Sequence, residues 1–83
     1  DINPEHEKAY NNRGLAFNAL RQYQNAFKDF TTAIKLKPDY ANAYNNRAFS
    51  YLKIGSTELA CADAKKACSL GNCLTLQATS LCR

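Results

Sequence analysis

Apolar and small residues recur along the first half of the chain at the spacing of an α-helix. Tyr10, Gly14 and Phe17 lie three or four residues apart, as residues on one face of a helix do. A second stripe with helical spacing follows, formed by Ala26, Phe27, Phe30, Ala33 and Ile34. Each stripe leaves the rest of its segment polar, so the pattern predicts two amphipathic helices that pack against each other.

The same pattern returns 34 residues later. The stretch Ala-Tyr-Asn-Asn-Arg occupies residues 9–13 and again residues 43–47. The stripe of the second helix recurs as Ala60, Cys61, Ala64, Ala67 and Cys68. Self-similarity at a fixed period of this length is typical of repeat arrays, in which each helix pair buries its apolar face against the next.

The repeat predicts one domain over residues 1–83. We expect residues 1–6 to be the tail of a preceding repeat, residues 7–40 the first repeat, residues 41–74 the second, and residues 75–83 a C-terminal cap. Pro4 aligns with Pro38, and the chain opens at Asp1 and contains no methionine, so we expect further repeats upstream in a longer protein. Gly55 suits the left-handed conformation that often ends a helix.

The residue series at these spacings resembles the tetratricopeptide repeat family. The first copy matches the family pattern with Tyr10, Gly14, Phe17, Ala26, Phe30, Ala33 and Pro38. The second copy matches it with Tyr44, Ala48, Tyr51, Ala60, Ala64 and Ala67, and has Asn72 in the place of the proline. The resemblance implies an all-α, right-handed helical solenoid of antiparallel helix pairs, with two repeats and a short capping helix over residues 74–81.

Two arginines depart from the family pattern. Arg13 and Arg47 stand where the family usually has leucine. The stem of an arginine can still cover apolar surface while its guanidinium reaches solvent or a neighbouring carboxylate. We therefore expect the departure to change local packing and leave the fold intact.

The resemblance also implies a function, namely protein–protein interaction. In this family the first helices of the repeats line a concave face that holds an extended peptide or a partner's helix. Asn12 and Asn46 fall where family members often carry a ladder of asparagines, and an amide can donate to and accept from a peptide unit of any sequence. The neighbouring candidates for peptide binding on the same helices are Asn11, Asn45, Leu15 and Phe49.

Two other interpretations remain open at this stage. The asparagines suit ordinary solvated surface positions as well as a ligand site. The whole chain also suits a structural cap that closes a longer solenoid and binds no ligand of its own. In either case the face of the first repeat that would meet a preceding helix is uncovered, with Tyr10 and Phe17 on it, so we expect self-association through this N-terminal edge at high concentration.

Composition argues against several other classes of protein. The formal net charge of +4 is spread along the chain, and no basic run alternates with aromatic residues, so we expect no nucleic-acid partner. No apolar run approaches the ~18 residues of a membrane span, so we expect no membrane partner. The single histidine, His6, has no nucleophile to pair with, and we predict no enzymatic activity, no cofactor and no metal site.

Four cysteines, Cys61, Cys68, Cys73 and Cys82, fall within the last 23 residues. Their separations do not match the paired CxxC spacing of a zinc site. Cys61 and Cys68 occupy an apolar stripe, where a thiol packs as a small hydrophobic group. The sequence therefore leaves two main alternatives, which are free thiols that serve as packing residues and two disulfides.

If disulfides form, their pairing is restricted. Cys61 and Cys68 are seven residues apart on one helix, about 10 Å, and cannot bond to each other. A final helix that returns antiparallel would bring Cys73 to Cys68 and Cys82 to Cys61, so we predict the pairs Cys61–Cys82 and Cys68–Cys73. The cellular location follows from the answer, since bonded cysteines indicate an extracytoplasmic protein and free ones a cytoplasmic protein.

Overall fold

The structure is a computed structural model that describes residues 6–78 and Cys82. Within these residues the chain forms five helices, which are α1 (His6–Ala19), α2 (Tyr23–Leu36), α3 (Ala41–Lys53), α4 (Thr57–Ser69) and α5 (Leu74–Ala78). α1 packs on α2, α2 on α3, and α3 on α4, while α5 contacts α3 and α4. The predicted all-α class and the helical repeat solenoid are confirmed.

α1 and α5 lie at the two ends of the described part of the chain. α1 begins at His6, one residue before the start of the first predicted repeat. The predicted capping helix over residues 74–81 is present as α5 as far as Ala78. Its last three residues, like residues 1–5 of the predicted preceding repeat, lie outside the described part of the chain.

Close approach of α1 and α2 depends on a glycine facing a phenylalanine. Phe30 is fully buried, and a Cβ atom placed on Gly14 would lie only 2.5 Å from its Cε1 atom. Any larger residue at position 14 would therefore push the ring away. The small residue that the sequence analysis placed in the middle of the first helix allows this contact.

In the second repeat, side chains of different size lie at the same two positions between the helices. Ala48 and Ala64 occupy the positions of Gly14 and Phe30, and together with Ala60 they form a buried cluster that we call the alanine cluster. Leu76 of α5 packs against this cluster. The side chain of Leu76 thus occupies space beside α3 and α4, whose facing residues are small.

The turns inside the two helix pairs use the same backbone conformation with different residues. Gly55 has a φ of +85°, and Arg21, which stands 34 residues earlier, has a φ of +61°. Glycine adopts this left-handed region without steric cost, whereas arginine does so at a cost. The conformation at Gly55 was expected from the sequence, while that at Arg21 was not, because arginine carries no such signal.

Each repeat contains the same bidentate ion pair. Arg13 Nε and Nη2 donate to the two carboxylate oxygens of Asp29 at 2.7 and 2.8 Å. Arg47 makes the equivalent bonds to Asp63 at 2.7 and 2.9 Å. The hydrogen bonds to Asp63 and Asp29 raise the pKa values of Arg47 and Arg13 above their usual range. The guanidinium groups therefore reach the neighbouring carboxylates rather than solvent alone.

Aromatic rings flank each guanidinium. The Cζ atom of Arg13 lies 5.5 Å from the ring centre of Tyr10 and 5.9 Å from that of Phe17. In the second repeat, Arg47 lies at 5.6 and 5.9 Å from Tyr44 and Tyr51. These distances are in the range of cation–π attraction. The arginines thus join the first helix of each repeat to the second by charge and to their own helix by ring contacts.

Solvent exposure distinguishes the two pairs. The side chain of Arg13 is 62% exposed, whereas that of Arg47 is 18% exposed. α2 covers the second pair, because Thr31 accepts a hydrogen bond from Arg47 at 3.3 Å and Phe27 packs edge-on against Tyr51 at 4.3 Å. The corresponding face of α1 has no such cover among the described residues.

This difference predicts unequal effects of the same substitution in the two repeats. Asp63→Asn leaves a largely covered arginine charge without its partner, and we expect it to lower the free energy of unfolding by about 1–3 kcal/mol. Asp29→Asn is the matched control, and we expect a clearly smaller loss because Arg13 can be hydrated in place. Urea denaturation of both variants measures this, and equal losses would contradict the account.

Candidate functional site

A groove runs along the side of the molecule where α1, α3 and the start of α5 lie next to each other. It consists of two adjoining depressions of about 470 and 430 Å³. Both depressions are lined by Leu15, Asn45, Asn46 and Thr75, so they form one continuous surface. We call this surface the asparagine groove. The first depression also includes Lys8, Asn11, Asn12, Tyr40, Asn42, Asn72 and Leu74, and the second includes Asn18, Ala19 and Phe49.

The six residues proposed from the sequence for peptide binding all line this groove. α1 and α3 present them at matching positions because the two helices are equivalent in the repeat. They are Asn11, Asn12 and Leu15 on α1, and Asn45, Asn46 and Phe49 on α3. Their role as ligand contacts stays a prediction.

Asn12 and Asn46 differ in how much of their amide is available. Asn12 is exposed to solvent. Asn46 is half-buried, and its Nδ2 atom donates to Asn11 Oδ1 at 2.9 Å, which ties α3 to α1 across the groove. Among the described residues, Asn46 Oδ1 and the second N–H of its amide have no hydrogen-bond partner, and both can bond to another group.

Asn11 and Asn45 are buried beneath the groove surface, where their side chains make hydrogen bonds to neighbouring elements. Asn45 is 7% exposed, and its Nδ2 atom donates to the backbone oxygen of Asn72 at 3.3 Å. Its Oδ1 atom is buried without a hydrogen-bond partner among the described residues. An acceptor of this kind costs about 1–3 kcal/mol in lost hydration. Asn11 therefore joins α1 to α3, and Asn45 joins α3 to the turn before α5.

Apolar side chains alternate with these amides. Leu15 is 43% exposed and Phe49 is 44% exposed, although both are large hydrophobic residues. The ammonium group of Lys53 lies 5.2 Å from the ring centre of Phe49. Leu52, on the same helix as Phe49, packs instead against the alanine cluster. The groove thus offers both apolar contact and hydrogen bonds.

The electrostatic character of the groove is neutral to positive. None of the described residues that line it is an aspartate or a glutamate, and Lys8 lies at its edge. Burial, and to a lesser extent the nearby charge of Glu7, raise the pKa of Tyr40, against a smaller opposing effect of a hydrogen bond with Asn11. The lining therefore suits an uncharged peptide backbone better than a cation.

The four cysteines lie on α4 and on either side of α5. The Cα atoms of Cys61 and Cys82 are 5.3 Å apart, and those of Cys68 and Cys73 are 4.0 Å apart. The structure thus places at disulfide distance the two pairs that the sequence analysis named. Cys61 and Cys68 are on α4, while Cys73 precedes α5 and Cys82 follows it.

Several groove residues were not anticipated from the sequence. Asn72 donates to Asn42 Oδ1 at 2.8 Å and accepts from the backbone N–H of Leu74 at 3.1 Å. Thr75 donates to the backbone oxygen of Asn45 at 3.5 Å. The replacement of the repeat proline by Asn72 was a usable signal, because an asparagine can make side-chain bonds in a turn. Thr75 gives no comparable signal.

The described residues also bear on metal binding and on membrane crossing. Within residues 6–78 and at Cys82, no three histidine, cysteine, aspartate or glutamate side chains come together as metal ligands would. None of the described helices has both the length and the apolar character required to cross a bilayer. His6 is exposed at the start of α1.

Comparison with known families gives two matches. A family model described as tetratricopeptide repeat matches residues 7–40, which are the residues of the first predicted repeat. A second model with the same description matches residues 30–62, from the second half of α2 into α4. No curated protein gives a significant match to the chain.

Proposed function

The chain belongs to the tetratricopeptide repeat family, whose repeats generally mediate protein–protein interaction, and we propose that it binds an extended peptide or a partner's helix along the asparagine groove. The observation that carries the proposal is the pairing of exposed apolar side chains with available amides in one groove. Leu15 and Phe49 remain about half exposed beside Asn12 and Asn46.

The chemistry of these side chains suits a peptide ligand. Asn12 and Asn46 would bond to the ligand's backbone, because an amide can donate and accept at the same time. Leu15 and Phe49 would contact its apolar side chains and gain free energy from the area that they bury. Asn11 and Asn45 would act mainly by holding the two helices at the spacing that the ligand requires.

The domain organisation that we propose follows the repeat. Residues 7–40 and 41–74 would form two units of the interaction surface, residues 1–6 the tail of a preceding repeat, and residues 75–83 the C-terminal cap. Members of this family are typically non-catalytic interaction modules. We expect this chain to have no enzymatic activity of its own and to recognise a protein rather than a nucleic acid or a membrane.

The first test is the affinity for peptides of an Asn12→Ala variant. A random peptide library is screened against the unaltered protein, and the selected peptides are titrated by fluorescence anisotropy. Loss of one neutral hydrogen bond costs about 0.5–1.5 kcal/mol, so we expect the Kd to rise roughly two- to tenfold. Asn12→Ala is preferred to Asn46→Ala because the latter also removes the bond to Asn11.

Asn25→Ala is the matched control for this test. Asn25 is an exposed asparagine on α2, outside the groove, so its variant should bind with unchanged affinity. Equal affinities of the Asn12 and Asn25 variants would contradict the proposed contact. Failure of a protein carrying all its repeats to bind any peptide would instead favour the alternative function, a structural cap of a longer solenoid.

The uncovered face of α1 supports a further proposal, self-association through the N-terminal edge. Arg13 is 62% exposed, whereas Arg47, at the same place in the second repeat, is covered by α2. Tyr10 and Phe17 flank Arg13 on this face. A second copy of the chain would cover these side chains at high concentration.

Light scattering over a concentration series tests the self-association. We expect the mean mass to rise above that of a monomer as the concentration approaches the millimolar range. Phe17→Ser removes apolar surface from this edge and should reduce the rise, while Phe49→Ser, in the groove, should not. A monomer of constant mass up to millimolar concentration would contradict the proposal.

A further inference from the structure

α5 is too short to be stable without help. It has five residues, Leu74–Ala78, whereas an isolated helix needs about 12–15 residues to persist in water. Its main packing contact is Leu76, which lies against the alanine cluster. Leu74, at its first position, is 69% exposed. Beyond Leu76, Thr75 adds one long hydrogen bond to the backbone of α3, and these contacts are few for a helix of this length.

The two cysteine pairs join α4 to the chain on both sides of α5. Cys73 directly precedes α5 and pairs with Cys68 near the end of α4. Cys82 follows α5 and pairs with Cys61 near the start of α4. Both cross-links therefore limit how far α5 can move from α4, and together they restrain it at each end.

α5 and the turn before it form one wall of the asparagine groove. Leu74 and Thr75 line the groove, and Thr75 donates to the backbone oxygen of Asn45. The side chain of Asn45 donates in turn to the backbone oxygen of Asn72. Asn72 also donates to Asn42 at 2.8 Å. The position of α5 thus determines what surrounds Asn45, the residue at the centre of the groove.

We propose that the two cysteine pairs form a redox latch that controls this wall of the groove. When both pairs are oxidised, α5 is held against α4 and the wall is complete. When both are reduced, α5 leaves its place and the groove loses the surface formed by Leu74 and Thr75. The inference that the latch regulates ligand binding rests on the function proposed above, whereas the release of α5 does not.

The reductant is a dithiol. One of its thiolates attacks a sulfur of the protein disulfide, which breaks the S–S bond and forms a mixed disulfide. Its second thiol then displaces the protein sulfur, so that the dithiol leaves as a disulfide and the protein retains two thiols. Each pair gains two electrons and two protons in this exchange. All four cysteines are half-buried rather than buried, so a small dithiol can reach them.

The first measurement is a thiol count on the unfolded protein, purified in the oxidised form and kept without reductant. We expect no free thiol, and four after treatment with dithiothreitol. Four free thiols before treatment would overturn the proposal, because no latch would then exist.

The second measurement is hydrogen–deuterium exchange of the folded protein with and without dithiothreitol. We expect the backbone amides of α5 to exchange in the reduced protein at the rate of an unstructured peptide, while α1 to α4 keep their protection. Two results would overturn the proposal. One is protection of α5 that survives reduction, and the other is equal loss of protection in all the helices.

A variant in which all four cysteines are replaced by serine provides the matched control. Without reductant it should show the exchange pattern of the reduced protein, and dithiothreitol should not change it further. A response of this variant to dithiothreitol would show that the reductant acts elsewhere and would overturn the latch.

Side-chain amide signals in a ¹⁵N NMR spectrum report on the groove itself. On reduction we expect the signal of Asn45 to move, because Thr75, which donates to its backbone oxygen, leaves with α5, and that of Asn25 on α2 to stay. An unmoved Asn45 signal would contradict the effect on the groove. None of these measurements uses a peptide, so failure of the latch and failure of groove binding give different results.

Discussion

Phe30 and Ala64 occupy the same position in the two repeats, and the difference in their side-chain volumes affects most of the molecule. In the first repeat, the ring of Phe30 is fully buried against a glycine and fills the space between the helices. In the second repeat, two alanines face each other, and Leu76 packs beside them. Without Leu76, the small residues would leave a cavity, which is costly in proportion to its volume. The alanine cluster of the second repeat therefore depends on α5 to fill the space beside it.

The groove follows from this requirement. Because Leu76 packs on the alanine cluster, the residues just before it are brought beside α3, where Leu74 and Thr75 form a wall of the groove. The Asn72 turn then bonds to the buried amide of Asn45. The proposed binding surface is therefore shared between two complete helices of the repeats and a short helix that depends on them for its stability.

Much of this architecture was predictable from the sequence because each position in one repeat can be compared with the equivalent position in the other. The 34-residue period gave the helix pairs, and the cysteine positions gave the pairs Cys61–Cys82 and Cys68–Cys73 for a final helix that returns along α4. The ion pair between Arg13 and Asp29 was less apparent. Both residues recur in the second copy, but a separation of 16 residues does not reveal a contact until the angle between the two helices is known.

The detailed roles of the asparagines could not be predicted for a similar reason. Asn11 and Asn12 are neighbours in sequence and identical in type, yet one is buried and the other exposed. The two side chains differ only in the direction in which they leave the helix. A rotation of α1 about its axis by about 100°, the angle between adjacent residues, would put Asn12 in the place of Asn11. Helical periodicity gives the apolar face with enough accuracy to predict the fold, but not enough to separate adjacent polar residues at its edge.

The account depends most on the claim that small residues in the second repeat make room for Leu76. The double variant Ala48→Gly with Ala64→Phe tests it, because it gives the second repeat the residue pair of the first. NMR contacts between the methyl groups of Leu76 and Ala60 are the measurement. The account predicts that the unaltered protein shows these contacts, and that the variant keeps α3 and α4 folded but loses them. Contacts of unchanged strength in a stably folded variant would contradict it.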